Sequence, residues 1–196
     1  YSEQTLDAPV KTVLESPVVK EQTFIIKGKN YIAEVSNVGG GSIVSYALTK
    51  HLKKSESSLN LIDGYNSNNL VVSFVNQSGE IISLDKSWSL VSGGSANLSE
   101  TNPEVSFLFT TEHLGRQVTK ELFFYFDSYE IDISTSLRSL KDVSLDEKYT
   151  LSWVGGLPEH EGTQDAMFME GLISQVGKIE SFRVGAAGFF GSSSSS

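Results

Sequence analysis

Hydrophobic and polar residues alternate with a period of two along much of the chain, most clearly over Glu121–Leu137, ELFFYFDSYEIDISTSL. Leu122, Phe124 and Phe126 share one face of an extended segment, and Phe123 and Tyr125 take the other. After Asp127-Ser128, residues Tyr129, Ile131, Ile133, Thr135 and Leu137 alternate with Glu130, Asp132, Ser134 and Ser136. Such alternation marks a strand with one dry face and one wet face. The first half is apolar on both faces, which predicts a strand packed on both sides. Asp127-Ser128 predicts a hairpin turn. This hairpin is expected to form the centre of the fold, with Leu122, Phe124, Phe126, Ile131, Ile133 and Trp153 buried.

The same pattern recurs elsewhere. Phe24–Ile26 is a short apolar run closed by Gly28-Lys29-Asn30; Tyr31, Ala33 and Val35 alternate with Glu34 and Ser36; Ile43–Leu48 follows a run of three glycines. Further strands are expected at Leu70–Val75, Ile81–Leu84, Trp88–Val91 and Val105–Thr110, with His113-Leu114-Gly115 turning the chain into the central hairpin. Tyr149, Leu151 and Trp153 share a face, and Met167–Ile173 with Ile179–Val184 predicts a last hairpin around Gln175–Lys178. Lys50–Asn60 and Arg138–Glu147 are charged connections. No segment carries a helical period over ~12 residues. The expectation is all-β: an antiparallel sandwich with helix limited to short turns.

Composition narrows the function classes. The chain has 196 residues and a formal net charge of −9, with no basic stripe, which argues against nucleic acid and against docking on anionic lipid by charge. Without cysteine there is no disulfide, no thiolate nucleophile and no cysteine metal site. No apolar run approaches the ~18 residues of a membrane-spanning helix.

Candidate chemistry is sparse. Val38-Gly39-Gly40-Gly41-Ser42 follows a strand, as a phosphate loop does, but neither the lysine nor the helix that such a loop needs comes after it, so a structural turn is expected. His51, His113 and His160 lie in loop-like stretches without metal-ligand spacing. His160 stands between Glu159 and Glu161, an acid–base pair only if geometry brings it together. Asp63–Asn69 is rich in oxygen side chains but lacks the glutamate of a calcium loop. There is no Gly-x-Ser-x-Gly elbow. Trp88 is expected in the core. No cofactor, metal or catalytic residue is assigned.

Three stretches together carry a family resemblance. Asn30–Lys54 resembles the opening of the periplasmic domain of YidC membrane-protein insertases, through Gly39-Gly40 and then Ile43, Ser45, Tyr46, Leu48 and Lys50. Val118–Leu137 is similar to that family's aromatic hairpin, through Lys120, Phe124, Phe126, Ser128, Tyr129, Ile131, Asp132 and Ile133, and Trp153–Leu157 to its strand end. The resemblance covers about Phe24 to Val184. It implies a β-supersandwich of galactose-mutarotase-like architecture on the periplasmic side of the bacterial inner membrane, within an integral membrane protein. Residues 1–22 would be a spacer after a first transmembrane helix, 23–184 the periplasmic domain, and 185–196 a linker or added tail.

The function so implied is non-enzymatic: contact with auxiliary subunits of the Sec translocase, and with nascent membrane proteins. The last hairpin is the candidate edge for a partner, at Met169, Glu170, Leu172, Ser174, Glu180 and Phe182, because its strands come last and carry apolar residues at Met169, Leu172, Ile173 and Phe182. The alternative is a mutarotase-like carbohydrate-binding or sugar-epimerase domain. It would use His113 or His160 as acid, with Glu159, Glu161 or Asp165 as base.

Overall fold

The computed structural model describes residues 19–50, 59–62, 69–153, 170–175 and 178–183, the last two ranges by backbone alone. Among the described residues, four sheets are built from fourteen strands. The first has five strands in the order β4 (Leu59–Asn60), β3 (Ser42–Leu48), β2 (Tyr31–Ser36), β1 (Thr23–Lys27) and β8 (Ala96–Asn97). The second runs β11 (Ile131–Ser136), β10 (Arg116–Tyr125), β9 (Glu104–His113) and β7 (Ser89–Ser92). The third runs β12 (Thr150–Trp153), β5 (Asn69–Val75) and β6 (Ile81–Ser83); the fourth is the hairpin of β13 (Glu170–Gln175) and β14 (Lys178–Arg183). Pairing is antiparallel except for a short parallel contact of β1 with β8. Among the described residues, helix is limited to two short 3-10 turns, Arg138–Leu140 and Leu145–Glu147.

Strands β9 and β10 pair over their full ten residues each. The turn between them, Leu114-Gly115, has positive φ at both positions, 53° and 71°, the backbone twist a tight hairpin favours. Alternation then puts Val118, Lys120, Leu122 and Phe124 on the inner face of β10, opposite Phe107 and Phe109 of β9. These residues form one core with Ile26, Tyr31, Ala33, Val35 and Ile43 of the first sheet and Val72 and Phe74 of the third. Aromatic rings join the layers: Phe24 of β1 lies 5.6 Å from Phe107, and Phe124 meets Phe107 edge-on at 5.9 Å. This is the all-β sandwich expected from the alternation.

Several details differ from the sequence pattern. Trp153 is not in the core: it is 43% exposed, and Tyr149 and Leu151 beside it are exposed too. Among the described residues, β12 is the outer strand of its sheet and pairs with β5 alone. Phe126, in the turn after β10, and Ile131 and Ile133, on the outer strand β11, pack against the core but are only partly buried. Tyr129 belongs to the turn, not to β11, and is exposed. Strand β10 is dry on one face only; Phe123 and Tyr125 on the other are half-buried, and Phe123 does not pack on the core. Trp88, by contrast, is buried as expected.

Candidate functional site

Polar groups gather inside the domain where the glycine run meets β5 and β10. The run places Gly39, Gly40 and Gly41 at positive φ. A Cβ on Gly40 would lie 2.6 Å from the Trp88 ring, and one on Gly41 would lie 2.6 Å from Leu122 Cδ1. Glycine is therefore required at both positions for conformation and for space. Trp88 is held by its own backbone N–H, which donates to Asn37 (2.9 Å), and by its indole N–H, which donates to the Leu84 carbonyl (3.1 Å). The buried Asn37 amide donates in turn to the Trp88 carbonyl (2.8 Å) and accepts from the Gln22 N–H (2.8 Å).

Asn69 performs a related task. Strand β3 carries a bulge at Val44 against β2, since Val35 pairs with Ile43 and Glu34 with Ser45. The buried side chain of Asn69 satisfies Ile43 on both sides, accepting from its N–H (2.7 Å) and donating to its carbonyl (2.6 Å). The next residue, Leu70, is an extra residue in β5: Val71 pairs with Ser152 and Asn69 with Trp153. Leu70 has φ 59°. Its carbonyl leaves the ladder and is taken by Lys120.

Lys120 is the feature that the alternation signals but does not explain. It stands in phase with Leu122 and Phe124 and is fully buried. Its ammonium nitrogen bonds the carbonyls of Leu70 and of Gly39, the latter at 3.1 Å. Burial pushes its pKa down to about 7. A neutral amine has two N–H donors for these two carbonyls, so deprotonation leaves both bonds intact.

At the opposite end, the β1–β2 turn and the β10–β11 turn are fastened together. The Tyr31 hydroxyl donates to the Tyr125 carbonyl (2.9 Å) and the Tyr46 hydroxyl to the Tyr129 carbonyl (3.2 Å), with the two rings stacked at 5.0 Å. Burial pushes the Tyr31 phenol up to about 12 and raises that of Tyr46 as well. Lys29 pairs with Asp127 at 2.6 Å on the surface beside them. These contacts hold the sandwich together and carry no reactive group.

Of the residues weighed for acid–base chemistry, His113 alone is described. His113 lies edge-on to the Phe74 ring at 5.6 Å, and burial lowers its pKa. His51, His160, Glu159, Glu161 and Asp165 lie outside the described residues, as does most of Asp63–Asn69. Among the described residues, no three His, Asp or Glu side chains could share a metal ion. Of the candidate partner edge, the backbone is described: β13 and β14 pair from Glu170 with Arg183 to Gln175 with Lys178. The side chains of Glu170, Leu172, Ser174, Glu180 and Phe182, and all of Met169, lie outside what is described.

A family model described as the YidC periplasmic domain matches residues 25–184. The chain belongs to the YidC periplasmic domain family. No curated protein and no solved structure matches the chain. The match takes in all the strands of this YidC domain except the first two residues of β1, and so spans both ends of the sandwich described above. Among the described residues, no helix is long and apolar enough to cross a membrane.

Proposed function

We propose that this chain is a non-catalytic domain of a bacterial membrane-protein insertase, on the periplasmic side of the inner membrane, and that it serves by binding protein. The observation that carries the reading is the family match over residues 25–184. The partners are auxiliary subunits of the Sec translocase and nascent membrane proteins. The insertion step itself belongs to the membrane-embedded part of such a protein. Strand edges supply the physical means, because an outer strand presents unpaired N–H and C=O groups to another chain. The last hairpin, with Met169, Glu170, Leu172, Ser174, Glu180 and Phe182, is one such edge.

Photo-crosslinking in the full-length membrane protein tests this reading. A photoreactive residue at Glu170, Ser174 or Glu180 is expected to capture a Sec component. Capture from other faces but never from these three would move the site off the hairpin. Failure from every face would remove the partner.

A further inference from the structure

A buried asparagine joins the exposed start of the first sheet to the interior. Lys20, Glu21, Gln22 and Thr23, which lead into β1, all have exposed side chains. Backbone groups fasten this segment to the domain. The Gln22 carbonyl accepts from the Asn37 N–H (3.0 Å), which carries the β1–β2 ladder one pair beyond Thr23 and Ser36. The Asn37 side chain then holds the same segment twice, accepting from the Gln22 N–H (2.8 Å) and donating to the Lys20 carbonyl (3.1 Å). The Ser36 hydroxyl adds a longer bond to Glu21 (3.3 Å).

Asn37 is fully buried, and each of its polar groups is engaged. Its second amide N–H donates to the Trp88 carbonyl (2.8 Å). Its own carbonyl accepts from the Trp88 N–H (2.9 Å) and the Gly40 N–H (3.2 Å). One side of the residue thus holds residues 20–22, and the other holds Trp88 and the glycine run. The inner segments are zipped together by the bridge of Val38 with Ser87 and by the Gly39 N–H, which donates to the Lys86 carbonyl (2.8 Å). The Gly39 carbonyl is one of the two that Lys120 bonds.

The two sides differ in local stability. A segment with exposed side chains, held through backbone hydrogen bonds, belongs to the part of a fold that opens first. Its opening leaves an N–H and an oxygen of the Asn37 side chain buried without partners, which is costly. The amide escapes that cost by turning toward water, and turning breaks its bond to the Trp88 carbonyl. We propose that residues 20–22 are a strap whose seating on Asn37 is coupled to Trp88, so that displacement of the chain ahead of β1 is transmitted to the interior at Trp88 and Gly40. In the membrane-protein setting proposed above, the strap is where a pull on the entering chain reaches the interior. The coupling itself goes beyond the binding of a partner and needs none.

The test is residue-resolved amide hydrogen exchange on the full 196-residue chain at a single pH. Gln22→Pro removes the N–H that Asn37 accepts. Lys20→Gly combined with Gln22→Gly loosens the strap through chain entropy and removes no backbone group, so it serves if the proline variant does not fold. In either variant the Trp88 and Gly40 amides are expected to exchange about five-fold faster or more, while the ladder amides of β9 and β10 change by less than about two-fold. Faster exchange of the Asn37 amide with Trp88 and Gly40 unchanged would mean that water simply takes the place of the strap, and would overturn the proposal. Equal acceleration at Trp88, Gly40 and the β9–β10 ladder would reduce the strap to a part of global stability and would overturn it too, as would unchanged exchange throughout. None of these results bears on the partner reading, because no partner takes part.

Discussion

Phe124→Ala is expected to destabilise the domain by about 3–5 kcal/mol in chemical denaturation, the range for deleting a large buried aromatic side chain. Phe124 is fully buried at the middle of the sandwich and packs edge-on to Phe107. Its strand lies between β9 and β11, so the backbone cannot shift to fill the gap without breaking two ladders. The neighbouring Phe123→Ala, on the half-buried outer face, is expected to cost clearly less. Equal losses at the two positions would mean that β10 does not face the core as described.

The second large effect belongs to Lys120. Lys120→Ala is expected to cost about 3–5 kcal/mol at pH 9, since it opens a cavity and leaves the buried carbonyls of Gly39 and Leu70 without a donor. The wild-type protein should also gain stability as pH rises. Burial depresses the Lys120 pKa to about 7 in the folded state, against ~10.4 for an unfolded lysine. Below about 7 both states hold the proton and the cost of the buried charge is fully present. Between about 7 and ~10.4 the unfolded state binds more protons than the folded one, so stability increases with pH. Between pH 7 and 9.5 the gain from this group is about 2–3 kcal/mol. Lys120→Met should abolish it while filling most of the same space. The window stops short of ~10 because Tyr31 and Tyr46 act in the opposite direction above it: their raised pKa values keep them protonated in the folded state while unfolded tyrosines ionise. A pH profile that is the same in the wild type and in Lys120→Met would show that Lys120 is not buried as an amine.

The two residues also show what the sequence discloses. Local alternation is enough to place Phe124 and Leu122 inside, because the period of two fixes which side chains share a face. It also places Lys120 inside, as a lysine at an inward position. What Lys120 bonds is not legible, because Gly39 and the bulge at Leu70 lie 81 and 50 residues away. The bulge itself leaves no local signal, since Leu70 is an ordinary residue with positive φ. Asn69 reads as one of several oxygen-bearing loop residues, yet it is buried and completes the backbone of Ile43. Trp153 fails for a related reason. Alternation identifies the face of a strand, but only the strand order reveals that, among the described residues, β12 pairs with β5 alone. The glycine run was readable as a turn because no helix follows it, although the partners that demand glycine, Trp88 and Leu122, come from distant strands.

The functional account differs from the fold in this respect. Reactive constellations have recognisable spacings. A protein-binding surface has none.

A domain that works by holding a protein partner should show that partner binding in direct titration. The periplasmic part of a Sec auxiliary subunit from the same bacterium should be titrated into the purified 196-residue chain at physiological salt. A saturable, one-to-one interaction is expected, with a dissociation constant on the order of micromolar, as suits a small transient interface. No saturable binding at concentrations approaching ~1 mM, with both proteins folded, would contradict the account.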